Sequence, residues 1–232
     1  MSIVEFIQGE LKGWGNLEKK IFPVGILAIA SIAIYMHDAL PAIISAICGI
    51  CATITAGKGK ISCYMFGIIS NLCYGYISFE NEFWGNLALN LLYYLPMQFV
   101  GIYNWKNHLK PETQVIYKTK LSFLERFLYL VGVILLCIAG YYILSKFNDG
   151  NPLFDSITTV LSVIAFVLTI KRCVEQWYLW TIVNALCAVM WLGAFLQGSH
   201  CFATVLMWLT YLGLGIYFLR NWLIEIKNEN NN

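Results

Sequence analysis

Two indoles and a carboxamide stand at helical spacing within one apolar stretch, residues 175–192. Trp177, Trp180 and Asn184 occupy positions i, i+3 and i+7, so on an α-helix they form one stripe along a single face. Indole faces can stack a flat ring, and a carboxamide can donate and accept hydrogen bonds. Because an unpaired amide in hydrocarbon costs about 4–8 kcal/mol, we expect the stripe to face protein or a water-filled path. Helix packing by Asn184 and an interfacial tryptophan belt are the alternatives to a ligand site.

The composition indicates a polytopic helical membrane protein. The chain has 232 residues, of which 59% are hydrophobic and 12% charged, whereas a soluble domain averages about 25% charged residues. Apolar runs of roughly twenty residues recur along it, and no cleavable signal is expected. Cys48 and Cys51 have the spacing of a redox or metal pair but lack a second pair. We therefore predict no metal site and no cofactor.

Eight apolar segments have about the length that a bilayer of ~30 Å demands. These predicted spans lie at about 21–37, 39–57, 61–79, 84–105, 127–145, 154–171, 176–197 and 200–222. With the N-terminus in the cytoplasm, fourteen of the fifteen Lys and Arg residues fall inside, and only Lys146 falls outside. This distribution satisfies the positive-inside rule, so we expect a multi-pass protein in the lipid bilayer with both termini cytoplasmic.

The chain also repeats itself at a shift of 113 or 114 positions. At 113 the matched pairs are Tyr64 and Trp177, Gly67 and Trp180, Asn71 and Asn184, and Lys58 and Lys171. At 114 they are Asn90 and Thr204, Gly101 and Gly215, and Tyr103 and Tyr217. We predict two parallel copies of a three-helix unit, spans 2–4 and spans 6–8, joined by span 5. Such repeats place a substrate site at their interface near the membrane midplane; a purely structural scaffold is the alternative.

Four segments carry a resemblance to a known family. The run WYLWTIVN, preceded by Lys171, Arg172 and Glu175, resembles the WxxW region of the PnuC vitamin transporters. The run NLLYYLPMQFVGIYNW, residues 90–105, resembles their third core helix. GKISCYMFGIISNLCYGY and DSITTVLSVIAFVLTIKRCVEQW also match the family's patterns, and the resemblance covers roughly residues 40–225 in order.

The resemblance implies a fold related to the SWEET sugar transporters and uptake of nicotinamide riboside by facilitated diffusion across the bacterial inner membrane. It also implies trapping of the substrate by a cytoplasmic nicotinamide riboside kinase, and it suggests a homotrimer. We thus predict an all-α integral membrane fold, a 3+1+3 parallel-repeat bundle with one additional N-terminal span. The predicted parts are an amphipathic segment with the extra span (1–38), a first three-helix bundle (39–105), a linker span with loops (106–153), a second three-helix bundle (154–222) and a cytoplasmic tail (223–232).

Polar and aromatic residues at mid-span positions are the candidate substrate-binding residues, although ordinary helix packing is the alternative for each aromatic. They are Trp177, Trp180, Asn184, Gln98, Tyr94, Asn90, Asn71, Tyr64, Thr204, Trp208 and Tyr211. Nicotinamide riboside has a cationic pyridinium, which suits an indole face at ~0.5–2 kcal/mol per contact. Asn184 and Gln98 can pair with its carboxamide, and Asn90, Asn71 or Thr204 with its ribose.

No span centre holds Asp, Glu, Lys, Arg or His. Ion-coupled transporters place such residues mid-membrane, so their absence favours an uncoupled facilitator. It also argues against a phosphorylated substrate, because phosphate recognition favours Arg or Lys. Asp155 is a candidate gate or, alternatively, a helix N-cap after Pro152. Pro96 interrupts span 4 and is a candidate hinge or, alternatively, a static kink.

Three other functions are open on the sequence. A transporter of the same fold with thiamine, riboflavin or a sugar as cargo keeps every structural expectation. A membrane enzyme would need a catalytic cluster, and the three His residues, His37, His108 and His200, are scattered over loops on both sides. A receptor or assembly factor would show no substrate flux. We predict a transporter that is not an enzyme and has no nucleic acid partner.

Overall fold

A computed structural model describes residues 9, 14–16, 18–35, 39–80, 87–146, 152–197 and 202–229, with the side chains of residues 33, 191, 194 and 202–204 outside the description. Its long helices are α1 (Glu18–Tyr35), α2 (Leu40–Gly57), α3 (Ser62–Glu80), α4 (Leu95–Lys106), α5 (Phe123–Lys146), α6 (Pro152–Ile170), α7 (Glu175–Leu196) and α8 (Phe202–Glu229). A π-helical turn, Leu89–Tyr94, leads directly into α4. The described part of each predicted span therefore lies largely on a helix. By length and composition, α2, α5 and α6 qualify as candidate membrane-crossing helices.

Local sequence signals explain where several helices begin. Pro41 stands in the first turn of α2 and Pro152 opens α6, where the missing N–H would have had no helical acceptor. Ser122 and Glu125 form a capping box at the start of α5. The Ser122 N–H donates to Glu125 Oε2 at 2.8 Å, and the Glu125 N–H donates to Ser122 Oγ at 3.3 Å.

The chain divides into two compact units, which meet in sequence between Tyr117 and Lys118. In the first unit α1 packs on α2, α2 on α3, and α3 on α4 with its π-helical turn. In the second unit α5 packs on α6, α6 on α7, and α7 on α8. Each unit thus places one extra helix before a triplet, and the span that we predicted to join the triplets, α5, packs within the second unit.

The turn between the first two helices of each triplet has the same backbone form. Gly59 has φ 68° and Arg172 has φ 62°, and these two residues are 113 positions apart, the repeat shift. Each turn pairs with the connector segment, residues 107–122. The Ile116 N–H donates to Gly59 O at 3.1 Å in the first unit, and the Thr119 N–H donates to Arg172 O at 2.9 Å in the second. A left-handed Arg is strained, and the bond from Thr119 helps to hold it.

An aromatic pair between the second and third helix of each triplet is also repeated. Tyr64 meets Trp105 edge-to-face at 4.9 Å, and Trp177 meets Phe218 at 5.4 Å with the rings tilted by 36°. The two pairs occupy matching positions, since each residue of the second pair lies 113 positions after its counterpart in the first. Trp105 and Phe218 are fully buried, so each pair anchors the packing of its own unit.

Candidate substrate-binding site

Trp177 lies deep in the second unit, within an aromatic cluster built by α7 and α8. Only 2% of it is exposed. Its ring lies 5.4 Å from that of Phe218 and 5.9 Å from that of Trp222. Its Nε1–H is buried and has no acceptor among the described residues. A buried donor without an acceptor costs about 1–3 kcal/mol, so this N–H is a candidate donor to a substrate.

Trp180 lies one turn further along α7 and is only partly buried. Its Nε1–H donates to Thr169 Oγ1 of α6 at 3.3 Å, and the Thr169 hydroxyl in turn donates to Ala165 O at 2.9 Å. The indole is therefore oriented from its edge by α6. A bond at the edge does not use the ring face, with which we predicted this residue to stack a flat ring.

Asn184 completes the stripe and is buried, with 7% of its surface exposed. Its amide faces Gly215 of α8, where an added Cβ would lie 3.7 Å from Asn184 Nδ2 and 3.1 Å from Thr181 Oγ1. The expectation that Asn184 faces protein is confirmed by this contact. A small residue at Gly215 lets the two helices approach closely at the level of the amide.

The other candidates of the second unit lie on α8. Trp208 and Tyr211 are half-buried and form an edge-to-face pair at 5.9 Å. Trp208 also packs against the apolar cluster of Leu161, Val183 and Cys187, so it serves the packing of α6, α7 and α8. Thr204 lies on α8, but its side chain is outside the described residues.

In the first unit, Gln98 is a buried carboxamide, with 5% of its surface exposed. It lies against Gly67 of α3, at the position that corresponds to Trp180 in the repeat. A Cβ added at Gly67 would lie 2.4 Å from Gln98 Nε2. Glycine is therefore required at this position for the amide of Gln98 to occupy it, and the first unit has an amide near the place where the second unit carries an indole.

Tyr64 and Asn71 share α3 with Gly67. Tyr64 is 1% exposed, and its ring passes Gly101 of α4 so closely that an added Cβ would lie 2.1 Å from Tyr64 Cε1. Asn71 is half-buried, but its Nδ2 is buried and has no acceptor among the described residues. Asn71 in the first unit and Trp177 in the second thus each have a buried donor without an acceptor among the described residues.

A π-helical turn forms part of span 4. In the sequence Asn90, Tyr94 and Gln98 stand at i, i+4 and i+8, the spacing of one stripe on a regular α-helix, but Asn90 and Tyr94 lie in this wider turn. The Leu95 N–H bonds to Asn90 O, five residues back. Pro96 follows at once, and a wider turn relieves the clash of its ring with the carbonyl four residues earlier. Asn90 remains buried at 8%, whereas Tyr94 is half-buried and packs on Tyr93.

Asp155 lies in the first turn of α6, three residues after Pro152. It is therefore inside the helix and is not the residue that precedes it, as an N-cap would be. A carboxylate in the first turn still interacts favourably with the positive end of the helix dipole. Its role as a gate stays a prediction.

Near the turn between α6 and α7, Lys171 and Glu175 contribute to the family resemblance but their contacts were not predicted from the sequence, and Gln176 was not among the candidate residues. Glu175 receives hydrogen bonds from Arg126 Nε at 2.9 Å, from Arg126 Nη2 at 2.7 Å and from the Leu121 N–H at 3.2 Å. Gln176 is 1% exposed, and its buried Nε2 has no acceptor among the described residues. A hydrogen bond to Tyr129 raises the pKa of Lys171. Their partners are too distant in sequence to be foreseen.

Comparisons with known proteins identify relatives along most of the chain. A model of the family described as nicotinamide mononucleotide transporter matches residues 39–224. The nicotinamide riboside transporter PnuC of Neisseria mucosa is 34% identical over 225 residues, which cover 94% of this chain and 84% of that protein. The nicotinamide riboside transporter PnuC of Haemophilus influenzae is 29% identical over 224 residues, which cover 95% of each chain.

A solved structure has the same fold. The crystal structure of the vitamin B3 transporter PnuC superposes with a TM-score of 0.84 at 31% identity, covering 98% of this chain and 99% of that one. This coverage includes α1, so the extra N-terminal helix is shared with that structure. The fold and the apolar helices define a helical membrane transporter. The chain belongs to the PnuC family, as the resemblance predicted.

Proposed function

We propose that this protein takes up nicotinamide riboside by facilitated diffusion. A cytoplasmic nicotinamide riboside kinase then traps the substrate as its phosphate. The names of the relatives support the substrate. The uncharged span centres support an uncoupled mechanism, since a proton or ion relay would need ionisable groups there.

The observation that carries the proposal is the chemistry of α7. A partly exposed indole, Trp180, is oriented by Thr169 and lies one helical turn from the buried carboxamide of Asn184. An electron-rich ring face attracts a pyridinium cation, and a carboxamide can bond to another carboxamide as both donor and acceptor. Nicotinamide riboside offers both features.

The family description names the mononucleotide, whereas the relatives are named for the riboside. The two substrates differ by one phosphate, which binds best to Arg or Lys. The Lys and Arg residues of this chain lie in loops or near the ends of the predicted spans. We therefore propose the riboside as cargo and expect the mononucleotide to be rejected.

The proposed substrate contacts fall into two sets. The second unit supplies Trp177, Trp180, Asn184, Thr204, Trp208 and Tyr211, and the first unit supplies Tyr64, Asn71, Asn90, Tyr94 and Gln98. Buried amides and the Trp177 Nε1–H would pair with the carboxamide and hydroxyl groups of a nucleoside. Pro96 with the preceding π-helical turn is the proposed hinge, because π-turns interrupt helices frequently at functional sites. Asp155 is the proposed gate.

We further propose a 3+1+3 parallel-repeat arrangement in the bacterial inner membrane, with both termini in the cytoplasm. The distribution of Lys and Arg in the sequence supports this orientation. A homotrimer is proposed from the family resemblance alone.

Reconstitution tests the mechanism. Proteoliposomes that contain the purified protein, nicotinamide riboside kinase and ATP should accumulate labelled nicotinamide riboside, whereas vesicles without kinase should only equilibrate it. Accumulation against a gradient without kinase would contradict facilitated diffusion. Uptake of labelled thiamine, riboflavin or a sugar, with no uptake of labelled nicotinamide riboside, would show that the cargo is another vitamin or a sugar.

A further inference from the structure

A buried lysine lies next to the aromatic cluster that encloses Trp177. Lys118 is in the connector segment, yet only 2% of its side chain is exposed. An ammonium group is costly to remove from water unless it is paired. Here it has two partners on α8: it forms an ion pair with Glu225, and its Nζ lies 4.9 Å from the centre of the Trp222 ring.

Trp222 connects this charge to the candidate site. The ring of Trp222 is fully buried and meets that of Trp177 edge-to-face, with centroids 5.9 Å apart and planes at 75°. Trp177 is itself 2% exposed and carries the buried Nε1–H that has no acceptor among the described residues. Interiors are packed as densely as organic crystals, so a rotation of one indole in this cluster would shift the other.

We propose that Lys118 is a positioning residue for substrate binding: its ammonium fixes the ring of Trp222, which in turn fixes the indole of Trp177 and its N–H. The inference rests on the proposed function, since Trp177 is taken as a substrate contact. Glu225 pairs with the ammonium and is itself 48% exposed, so it lies on the solvent side of Lys118. Lys118 does not touch the substrate in this scheme.

A purely structural alternative uses the same contacts. In it, the ion pair between Lys118 and Glu225 only fastens the end of α8 to the connector segment. The two possibilities differ in which contact of the ammonium matters, the ring or the carboxylate. They also differ in whether the indole pair itself changes when the charge is removed.

The first experiment measures nicotinamide riboside affinity by calorimetry in the purified full-length protein. Lys118→Met keeps the length of the side chain and removes the charge, and we expect affinity to fall about fivefold or more, within the usual range for coupled neighbours. Lys118→Arg keeps a cation over the ring and should restore affinity to within about twofold. Lys120→Met is the matched control, since Lys120 is exposed two residues away, and it should bind as the wild type does.

A double-mutant cycle separates the two contacts. Lys118→Met should cost no further affinity in a Trp222→Leu background, because the aromatic ring that Lys118 acts through is removed there. Glu225→Gln should cost less than Lys118→Met. A full, additive loss in the Trp222→Leu background, or an equal loss from Glu225→Gln, would overturn the proposal in favour of the structural alternative.

A measurement without substrate keeps the inference separate from the proposed function. Two indoles this close give an exciton signal in circular dichroism, which the difference between wild type and Trp222→Phe isolates. Lys118→Met should reduce this signal, and Lys118→Arg should retain it. An unchanged signal in folded Lys118→Met protein would overturn the inference even if wild-type protein binds the riboside. Absence of binding in the wild type with the expected spectral change would instead refute the proposed function.

Discussion

The two units have the same backbone pattern and different chemistry. Both place an aromatic residue, Tyr64 or Trp177, against a buried aromatic of the third helix of their triplet. One helical turn later the matched positions differ. The first unit has Gly67, which lies against the amide of Gln98, whereas the second unit has Trp180. The comparison indicates that the two units share this packing and differ in the polar group beside it, which is the amide of Gln98 in the first unit and the indole of Trp180 in the second.

The third helices also differ. In the first unit the chain passes through a π-helical turn before Pro96. In the second, α8 runs without interruption from Phe202 to Glu229, and Thr210 stands at the position that corresponds to Pro96. The two triplets are therefore not expected to bend alike.

The largest effect is expected from Gly67→Ala. The new Cβ would lie 2.4 Å from Gln98 Nε2, so the amide must move or the helices must separate, at a cost of about 1–3 kcal/mol. We expect uptake of nicotinamide riboside to fall about tenfold or more, measured in proteoliposomes. Gly193→Ala is the control, because nothing lies within 4 Å of a Cβ added there. Equal uptake by both variants would refute the assigned role of Gln98.

The next largest effect is expected from substitution of Trp180 in the second unit. Trp180→Ala removes the stacking face, and we expect affinity to fall about tenfold, equivalent to ~1.4 kcal/mol. Trp180→Phe keeps a ring and loses only the 3.3 Å bond to Thr169, so its loss should be about threefold. Calorimetric titration checks both variants. A larger loss for the Phe variant than for the Ala variant would contradict stacking.

A smaller, purely kinetic effect is expected at Pro96. Pro96→Ala restores an N–H and permits a regular helix, so we expect nicotinamide riboside to bind unchanged while it is transported several-fold more slowly. Thr210→Ala is the matched change in the other triplet; it removes the 2.8 Å bond to Leu206 O and should leave the rate unchanged. Equilibrium binding and initial uptake rates of nicotinamide riboside are compared for the two variants. Weaker binding by Pro96→Ala with an unchanged uptake rate would exclude a hinge at Pro96.

The smallest effects concern how the extra helix of each unit is fastened. Glu18 pairs with Lys58 at 2.5 Å and accepts a bond from the Gly15 N–H at 2.6 Å, and Glu175 receives two bonds from Arg126 and one from a backbone N–H. Both carboxylates are mostly buried, so we expect Glu18→Gln and Glu175→Gln each to lower the free energy of unfolding by about 1 kcal/mol. Thermal unfolding in detergent measures both. An unchanged unfolding temperature in either variant would mean that the carboxylate does not fasten the extra helix of that unit.

Much of the fold could be predicted from the lengths of the apolar segments and from the internal repeat. Apolar length predicted the helices, and the shift of 113 predicted which side chains correspond, including Asn71 and Asn184. The π-helical turn was missed because a proline alone predicts an interruption and not its form. The burial of Lys118 was missed because its partner Glu225 is 107 residues away, and a charged residue in a connecting loop is ordinarily solvated. Contacts between residues so far apart in the sequence cannot be predicted from the spacing of neighbouring residues.

The most direct test of the proposed site is a calorimetric titration of nicotinamide riboside and its mononucleotide into wild-type and Asn184→Ala protein. We expect micromolar binding of the riboside to the wild type, about −8 kcal/mol, no measurable binding of the mononucleotide, and affinity about tenfold weaker in the variant. Equal affinity of the two proteins for the riboside, or a mononucleotide that binds as tightly as the riboside, would contradict it.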